Sequence, residues 1–277
     1  MVNDAQRAAA QNFRNLHAEG VFVLPNAWDA LSAAVIAEAG APAIATTSAG
    51  ASWALGRTDG ERLSREDMVA LIRRITSVVS VPVTADIESG YGPTPSDVAA
   101  TIAAVVDAGA VGVNLEDSLA PGGPLHEPAA QAERLRAART AAAAAGLPEL
   151  VVNARTDVYL FGIGAEAGRF DDVLARSIAY AEAGADSLFV PGLLDLPTLT
   201  ALAEKSPLPI NVMTGPGGPS VAELAAAGVR RVSVGSALTQ AAYARAAEAA
   251  RELLEKGTYS ALADGPDFGA VQGLLRS

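Results

Sequence analysis

Three short apolar runs of this 277-residue chain end in residues whose types could do chemistry. PVTADIE (82–88) closes on Asp86 and Glu88. VGVNLED (111–117) closes on Glu116 and Asp117, and LVVNART (150–156) on Asn153 and Arg155, with Asp157 next. In an extended strand residues two apart share a face, so Asp86 and Glu88 are expected to point the same way, with Glu116 reaching a similar height from the adjoining run. Three converging carboxylates repel one another unless a cation lies among them. The donors are hard oxygens, with no Cys in the chain and no His pair nearby, which suits Mg2+ or Mn2+ rather than Zn2+. Asp86, Glu88 and Glu116 are therefore the candidate metal residues. Arg155 adds a planar fork matched to a carboxylate. The same acids would also serve to cap the helices that follow or to pair with Arg155, and spacing alone leaves both readings open.

Rare residue types narrow the mechanism. The only lysines, Lys205 and Lys256, lie far from any run end, so Schiff-base catalysis lacks its nucleophile. The two histidines are His17, expected on the surface of an N-terminal helix, and His126, in the loop SLAPGGPLHEP. His126 has the side chain best suited to proton transfer near neutral pH, or is a loop residue with no catalytic task. Tyr91, within GYG, would hydrogen-bond a substrate or hold its loop by packing. Asn211, in PINVM, is within reach of a substrate carboxylate if its amide is free. Gly215-Pro216-Gly217-Gly218 and Gly235-Ser236 read as turns or as a phosphate cradle.

The elements that must position these residues follow a repeated junction. EAGAPAIATTS, DAGAVGVNLEDS, EAGADSLFVPG and AAGVRRVSVGS each end an Ala-rich helix, turn at Gly and enter a short apolar strand. Eight strands are expected, at 21–26, 43–48, 82–88, 111–117, 150–156, 187–192, 209–213 and 230–236. Helices are expected at 29–39, 64–78, 95–108, 128–145, 171–183, 197–205 and 219–227. Eight nearly continuous apolar strands alternating with helices predict an α/β fold, a closed (β/α)8 TIM-type barrel in one domain (1–277), with function at the C-terminal strand ends. A further Ala-rich helix spans about 238–255, and the residues after Gly257 look like a looser appendage. The formal net charge of −11 argues against nucleic acid or an anionic membrane as partner. No apolar run approaches the ~20 residues of a membrane span, and the N-terminus shows no signal core, so a soluble, cytoplasmic protein is expected.

With these motifs in place, the stretch Leu24 to Ser118, and more loosely most of the chain, resembles the isocitrate lyase and phosphoenolpyruvate mutase superfamily. The motifs that carry the resemblance are LPNAWDALSA, TTSAGASWALGRTDG, ADIESGYG, NLEDS and NARTD. It implies substrate-carboxylate contacts at Thr47, Ser48 and Ala49, and acidic metal-shell residues at Asp59, Asp86, Glu88 and Glu116. Arg155 matches the family's substrate-binding arginine. The resemblance further implies Mg2+ (or Mn2+), held largely through water with Asp86 as the direct ligand, and a homotetramer in which helix 238–255 packs on a neighbouring subunit. The chain departs from the family where Glu88 replaces a common Asp. The loop after strand four lacks the lyase Cys and the Lys and Asn of phosphonate enzymes, and strand six lacks the mutase His. The expected activity is carbon–carbon lyase chemistry, through an enolate, on a small 2-oxo or 2-hydroxy mono- or dicarboxylic acid. Asp59, Tyr91, Glu116 and His126 are the candidate catalytic residues, with Arg155 and Asn211 binding substrate. The alternatives are phosphonate P–C mutase or hydrolase chemistry, and a 2-oxo-acid binder without turnover.

Overall fold

The repeated junction builds the frame as its composition dictates. The computed structural model describes residues 2–18 and 20–275. The glycines that end the four repeats, Gly40, Gly109, Gly184 and Gly228, have φ of 92°, 97°, 94° and 86°. Only a residue without Cβ adopts that conformation without strain, so each stops a helix and turns the chain into a strand. At the opposite ends Asp29, Thr94 and Ser220 form reciprocal capping boxes with Ser32, Asp97 and Glu223.

Nine parallel strands result: β1 (Phe22–Leu24), β2 (Asn26–Ala27), β3 (Ile44–Thr46), β4 (Val83–Asp86), β5 (Gly112–Glu116), β6 (Val151–Arg155), β7 (Ser187–Phe189), β8 (Ile210–Met213) and β9 (Arg231–Ser233). β1 and β2 are the two halves of the single run expected at 21–26. Pro25 has no N–H to donate, and the pairing changes partner across it. β1 pairs with β9 and β2 with β3, so the two halves close an eight-position barrel.

Eleven α-helices occur among the described residues: α1 (Asp4–Leu16), α2 (Ala30–Glu38), α3 (Ser48–Ala54), α4 (Arg65–Thr76), α5 (Pro95–Asp107), α6 (Pro128–Ala144), α7 (Arg169–Glu182), α8 (Leu196–Lys205), α9 (Val221–Ala226), α10 (Ala237–Lys256) and α11 (Phe268–Leu274). Three differences from the sequence reading stand out. The segment after β3 is not a bare loop, because Thr47 caps α3. The tail is not loose throughout, because α11 packs against α2. His17 is not a surface residue: its ring lies edge-on to Phe13 and Phe22 at 4.9 and 4.8 Å, and its Nδ1–H donates to the Phe13 carbonyl. Burial first, and then the charge of Arg231, lower its pKa to about 4.

α1 crosses the N-terminal ends of the strands as a floor. Phe13 and Ala10 are fully buried, and the Gln6 amide donates to the carbonyls of Val106 and Ala110. Burying a Phe side chain contributes roughly 1.5–3 kcal/mol, so Phe13 accounts for much of the docking of this helix. The opposite end of the barrel is left free for polar side chains.

Candidate active site

Asp86, Glu116 and Arg155 are the last residues of β4, β5 and β6, and the sheet register places Glu116 directly beside Arg155. The strand ends therefore bring the expected charged residues to one mouth. Beneath them Asn114, Asn153 and Asn211 sit inside the barrel. The Asn153 amide donates to the side-chain oxygens of both Asn114 and Asn211, at 2.8 and 2.9 Å. Asn211 spends its own amide on the carbonyls of Val212 and Arg231 and on Ser233 Oγ. It is a buried strut under the mouth with its hydrogen bonds already made.

Arg155 is engaged on two sides. Its Nε and Nη2 fork onto the buried Asp157 at 2.6 and 3.1 Å, and Nη1 meets Glu116 Oε2 at 2.8 Å. Burial alone would lower its pKa, but Glu116 and Asp157 hold it above the usual arginine value. The Glu116 carboxyl is pushed well above the usual range by burial, which outweighs Arg155. Asp157 is fixed in turn by Ser118 Oγ at 2.7 Å. The planar edge of Arg155 thus faces Asp157, and only the Glu116 side opens toward the mouth.

Asp86 and Glu88 do not share a face as strand alternation suggested. The strand ends at Asp86, and Glu88 has φ +49°, which turns its side chain out of register. Asp86 accepts hydrogen bonds from the N–H of Ser48 (3.3 Å) and of Glu88 (3.2 Å), while Thr46 Oγ1 accepts from Asp86 N–H. Glu88 is buried, with its pKa raised to about 8 by desolvation and then by Asp86. Tyr91 donates its hydroxyl to Glu88 at 3.3 Å, and burial next to this acid pushes the phenol upward. Asp59 sits exposed at the rim, its carboxyl raised by partial desolvation and by Asp86. Among the described residues no three His, Asp or Glu side chains gather into a direct ligand set.

Several residues that matter here escaped the sequence reading. Glu61 has φ +55°, donates its N–H to Glu88, and accepts from Ser89 N–H, Ser89 Oγ and Tyr91 N–H at 3.1, 2.6 and 3.0 Å. It latches the loop after α3 onto the turn after β4. From below, the guanidinium of buried Arg134 holds the carbonyls of Ser89, Gly92 and Pro93. A cleft of about 220 Å3 opens between these loops, lined by Glu61, Arg62, Glu88 and Glu116 on one side and by Leu119 and Pro121 on the other. Arg62 is the cation of that lining. Its only advance signal was its place just after the TTSAGASWALGRTDG segment, three residues before α4 begins.

His126 lies at the root of the loop after β5, outside the cleft lining. Its N–H donates to the Asp117 carbonyl, and its own carbonyl accepts from Arg176, which also pairs with buried Asp117 at 3.0 Å. Its imidazole is lowered by burial and by Arg134 and Arg176. Thr47 caps α3, and Ser48 contributes its backbone N–H to Asp86, with Ala49 following in the same first turn. At the other rim Gly218 N–H bonds to the Gly215 carbonyl, and a Cβ on Gly235 would lie 2.6 Å from the Met213 sulfur. These glycines serve a tight turn and a close approach.

A parallel barrel with an acid-rich mouth at its C-terminal strand ends is the architecture of a broad class of enzymes. The comparisons narrow that class. Residues 13–254 match the family model of phosphoenolpyruvate phosphomutase, and the chain belongs to that family, within the isocitrate lyase and PEP mutase superfamily. An uncharacterized protein of Mycobacterium tuberculosis (strain H37Rv) is 39% identical over 241 residues, covering 87% of this chain and 88% of its own. The oxaloacetate decarboxylase of Pseudomonas paraeruginosa is 31% identical over 253 residues, covering 89% and 83%. A crystal structure from Burkholderia cenocepacia J2315, provisionally assigned as a lyase/mutase, superimposes with a TM-score of 0.89 at 38% identity, covering 98% and 97%. Named members of the superfamily thus include lyases and mutases. No helix among the described residues is long and apolar enough to cross a membrane.

Proposed function

We propose that the protein is a Mg2+-dependent enzyme that cleaves or forms a C–C bond in a small 2-oxo or 2-hydroxy acid, with a C4–C5 dicarboxylate the favoured size. The observation that carries this reading is the surplus of acid at the mouth: Asp59, Asp86, Glu88 and Glu116 surround a single inward cation, Arg155, which Asp157 already half neutralises. Burial raises Glu88, Glu116 and Asp59, and a cation among them would favour their ionised forms and draw an anionic substrate. The donors fit a hard divalent ion held through few direct ligands and several waters, as Mg2+ usually is, with Asp86 the direct contact and Glu88, Glu116 and Asp59 behind water. When bound, such an ion polarises a carbonyl and offsets the charge of an enolate.

The chain's own groups supply the rest. The N-terminal turn of α3, through Thr47, Ser48 and Ala49, meets one substrate carboxylate. Arg155 Nη1 meets the other, which displaces Glu116, and Arg62 lies at the lip of the cleft. Leu119 to Leu125 of the loop after β5 carry no protic side chain. Protons therefore move at the rigid side of the cleft, through Tyr91 Oη and the Glu88 or Glu116 carboxyl, or through His126 if the loop root shifts. The decarboxylase relative favours C–C over P–C chemistry; the family model keeps the phosphonate reaction as the second reading.

Turnover of a panel of 2-oxo, 2-hydroxy and phosphonate acids with Mg2+, followed by product analysis, tests the proposal. Pyruvate or an enolate-derived product supports it; phosphate release or tight binding without turnover points to the alternatives. The assembly is proposed to be a homotetramer, because α10 leaves Tyr243, Leu253 and Leu254 exposed. A monomer mass in light scattering at micromolar concentration would remove that part.

A further inference from the structure

The floor of the barrel holds a charge that the mouth chemistry does not use. Arg231, the first residue of β9, points inward and is 1% exposed. Its Nη2 donates to Asn114 Oδ1 at 2.9 Å, but Nε and Nη1 are buried without a hydrogen-bond partner. No carboxylate contacts it: it is absent from the ion pairs of the described residues, and Asp86 acts on it only at longer range. Phe13 offers a ring face 5.8 Å away, which eases the charge without accepting an N–H bond.

A second orphan lies beside the same ring. Thr84 Oγ1 is buried and unpartnered. It and the Phe13 ring edge lie 2.8 and 2.7 Å from one point, the Cβ position that Gly112 leaves empty. Arg231 lies over the face of the Phe13 ring and Thr84 by its edge, at the N-terminal ends of β4, β5 and β9. His17 Nε2 is buried and unpartnered nearby, and because Nδ1 carries the proton it presents a lone pair.

An arginine stays protonated in a protein, and a buried guanidinium with two free N–H groups and no acid in contact is strongly unfavourable unless something compensates it. Asp86 does not serve that task, since it acts on Arg231 only at a distance and makes no ion pair with it. We infer that the barrel floor binds a small monovalent anion of the halide class, held by Arg231 Nε and Nη1 and Thr84 Oγ1, as a structural ligand separate from the substrate site.

The test uses the whole wild-type protein with chloride and bromide as probes. Raising chloride from about 1 to 100 mM, with gluconate keeping ionic strength constant, should raise the melting temperature by about 5 °C if the site saturates in that range. Arg231→Met should abolish the dependence, and Thr84→Val should weaken it. Crystals grown in bromide should show an anomalous peak within hydrogen-bond reach of Arg231. If Arg231→Met fails to fold, the wild-type titration and the bromide peak decide alone. A melting temperature indifferent to chloride, or ordinary water density beside Arg231 in bromide crystals, overturns the inference.

Discussion

The two ends of the barrel carry opposite imbalances. At the C-terminal mouth four carboxylates surround Arg155, and Glu88, Glu116 and Asp59 are all raised, first by desolvation. At the N-terminal floor Arg231 and His17 lie together without an acid in contact, and both are lowered, again first by desolvation. Each end is thus short of the charge that would relieve it, a cation above and an anion below. A buried surplus of one sign is a stronger pointer to a ligand than any single residue type, because it names the charge that is missing.

The sharpest way to break the contrast is at its most acidic point. Asp86→Ala should abolish Mg2+-dependent ligand binding in titration calorimetry while the fold survives, since the carboxylate ends a strand outside the packed core. Unchanged metal and ligand affinity would move the cation elsewhere.

Arg155→Lys comes next. Lys cannot fork onto Asp157 and still present a second N–H to the mouth, so 2-oxo-acid affinity should fall by about 30- to several-thousand-fold, the equivalent of ~2–5 kcal/mol. Because the Arg155 fork onto Asp157 is buried, the variant should also melt at a lower temperature. Affinity retained within about threefold would make Arg155 purely structural.

The floor should answer to acid. His17 has a folded pKa of about 4 against an ordinary value of 6.5, so the unfolded chain takes up its proton first. The His17 contribution to stability is unchanged above pH 6.5 and falls as pH drops toward 4, by about 3 kcal/mol in all. Replacing the ring by Phe should flatten this limb in urea melts taken from pH 7 to 4. An equally steep limb in His17→Phe would assign the loss to other groups.

The smallest effect belongs to the latch. Glu61→Gln keeps an acceptor for Ser89 and Tyr91 but loses the charge, and should cost about 1 kcal/mol of stability. Its clearer readout is faster amide exchange across residues 56–64 and 89–92. Protection unchanged there would mean that Arg134 holds the turn by itself.

Much of this frame was legible in the chain. Apolar runs and helix-ending glycines located eight barrel positions, and the polar strand ends located Asp86, Glu116 and Arg155. Glu88 defeated alternation because its φ is positive and its carboxylate is held by Glu61, nearly thirty residues earlier, which no local pattern shows. Arg231 was hidden for a related reason: in RRVSVGS two arginines adjoin, and alternation alone does not tell which one turns inward. One signal was overlooked. Asn114, Asn153 and Asn211 each interrupt an otherwise apolar run, and a polar residue recurring inside buried strands marks a shared interior network. Arg155 matched its expected place but not its expected partner, since Asp157 lies only two residues on and was weighed merely as a structural alternative.

The split at Pro25 also bears on how the barrel comes together. β2 finds β3 within about twenty residues, but β1 waits for β9, whose register joins Phe22 to Arg231 across some two hundred residues. During synthesis one edge of the first strand stays unpaired until β9 has been made. Ring closure is therefore the pairing of greatest sequence separation and the natural slow step of folding. The same event delivers Arg231 over Phe13, so sealing the cylinder and burying its most isolated charge happen together.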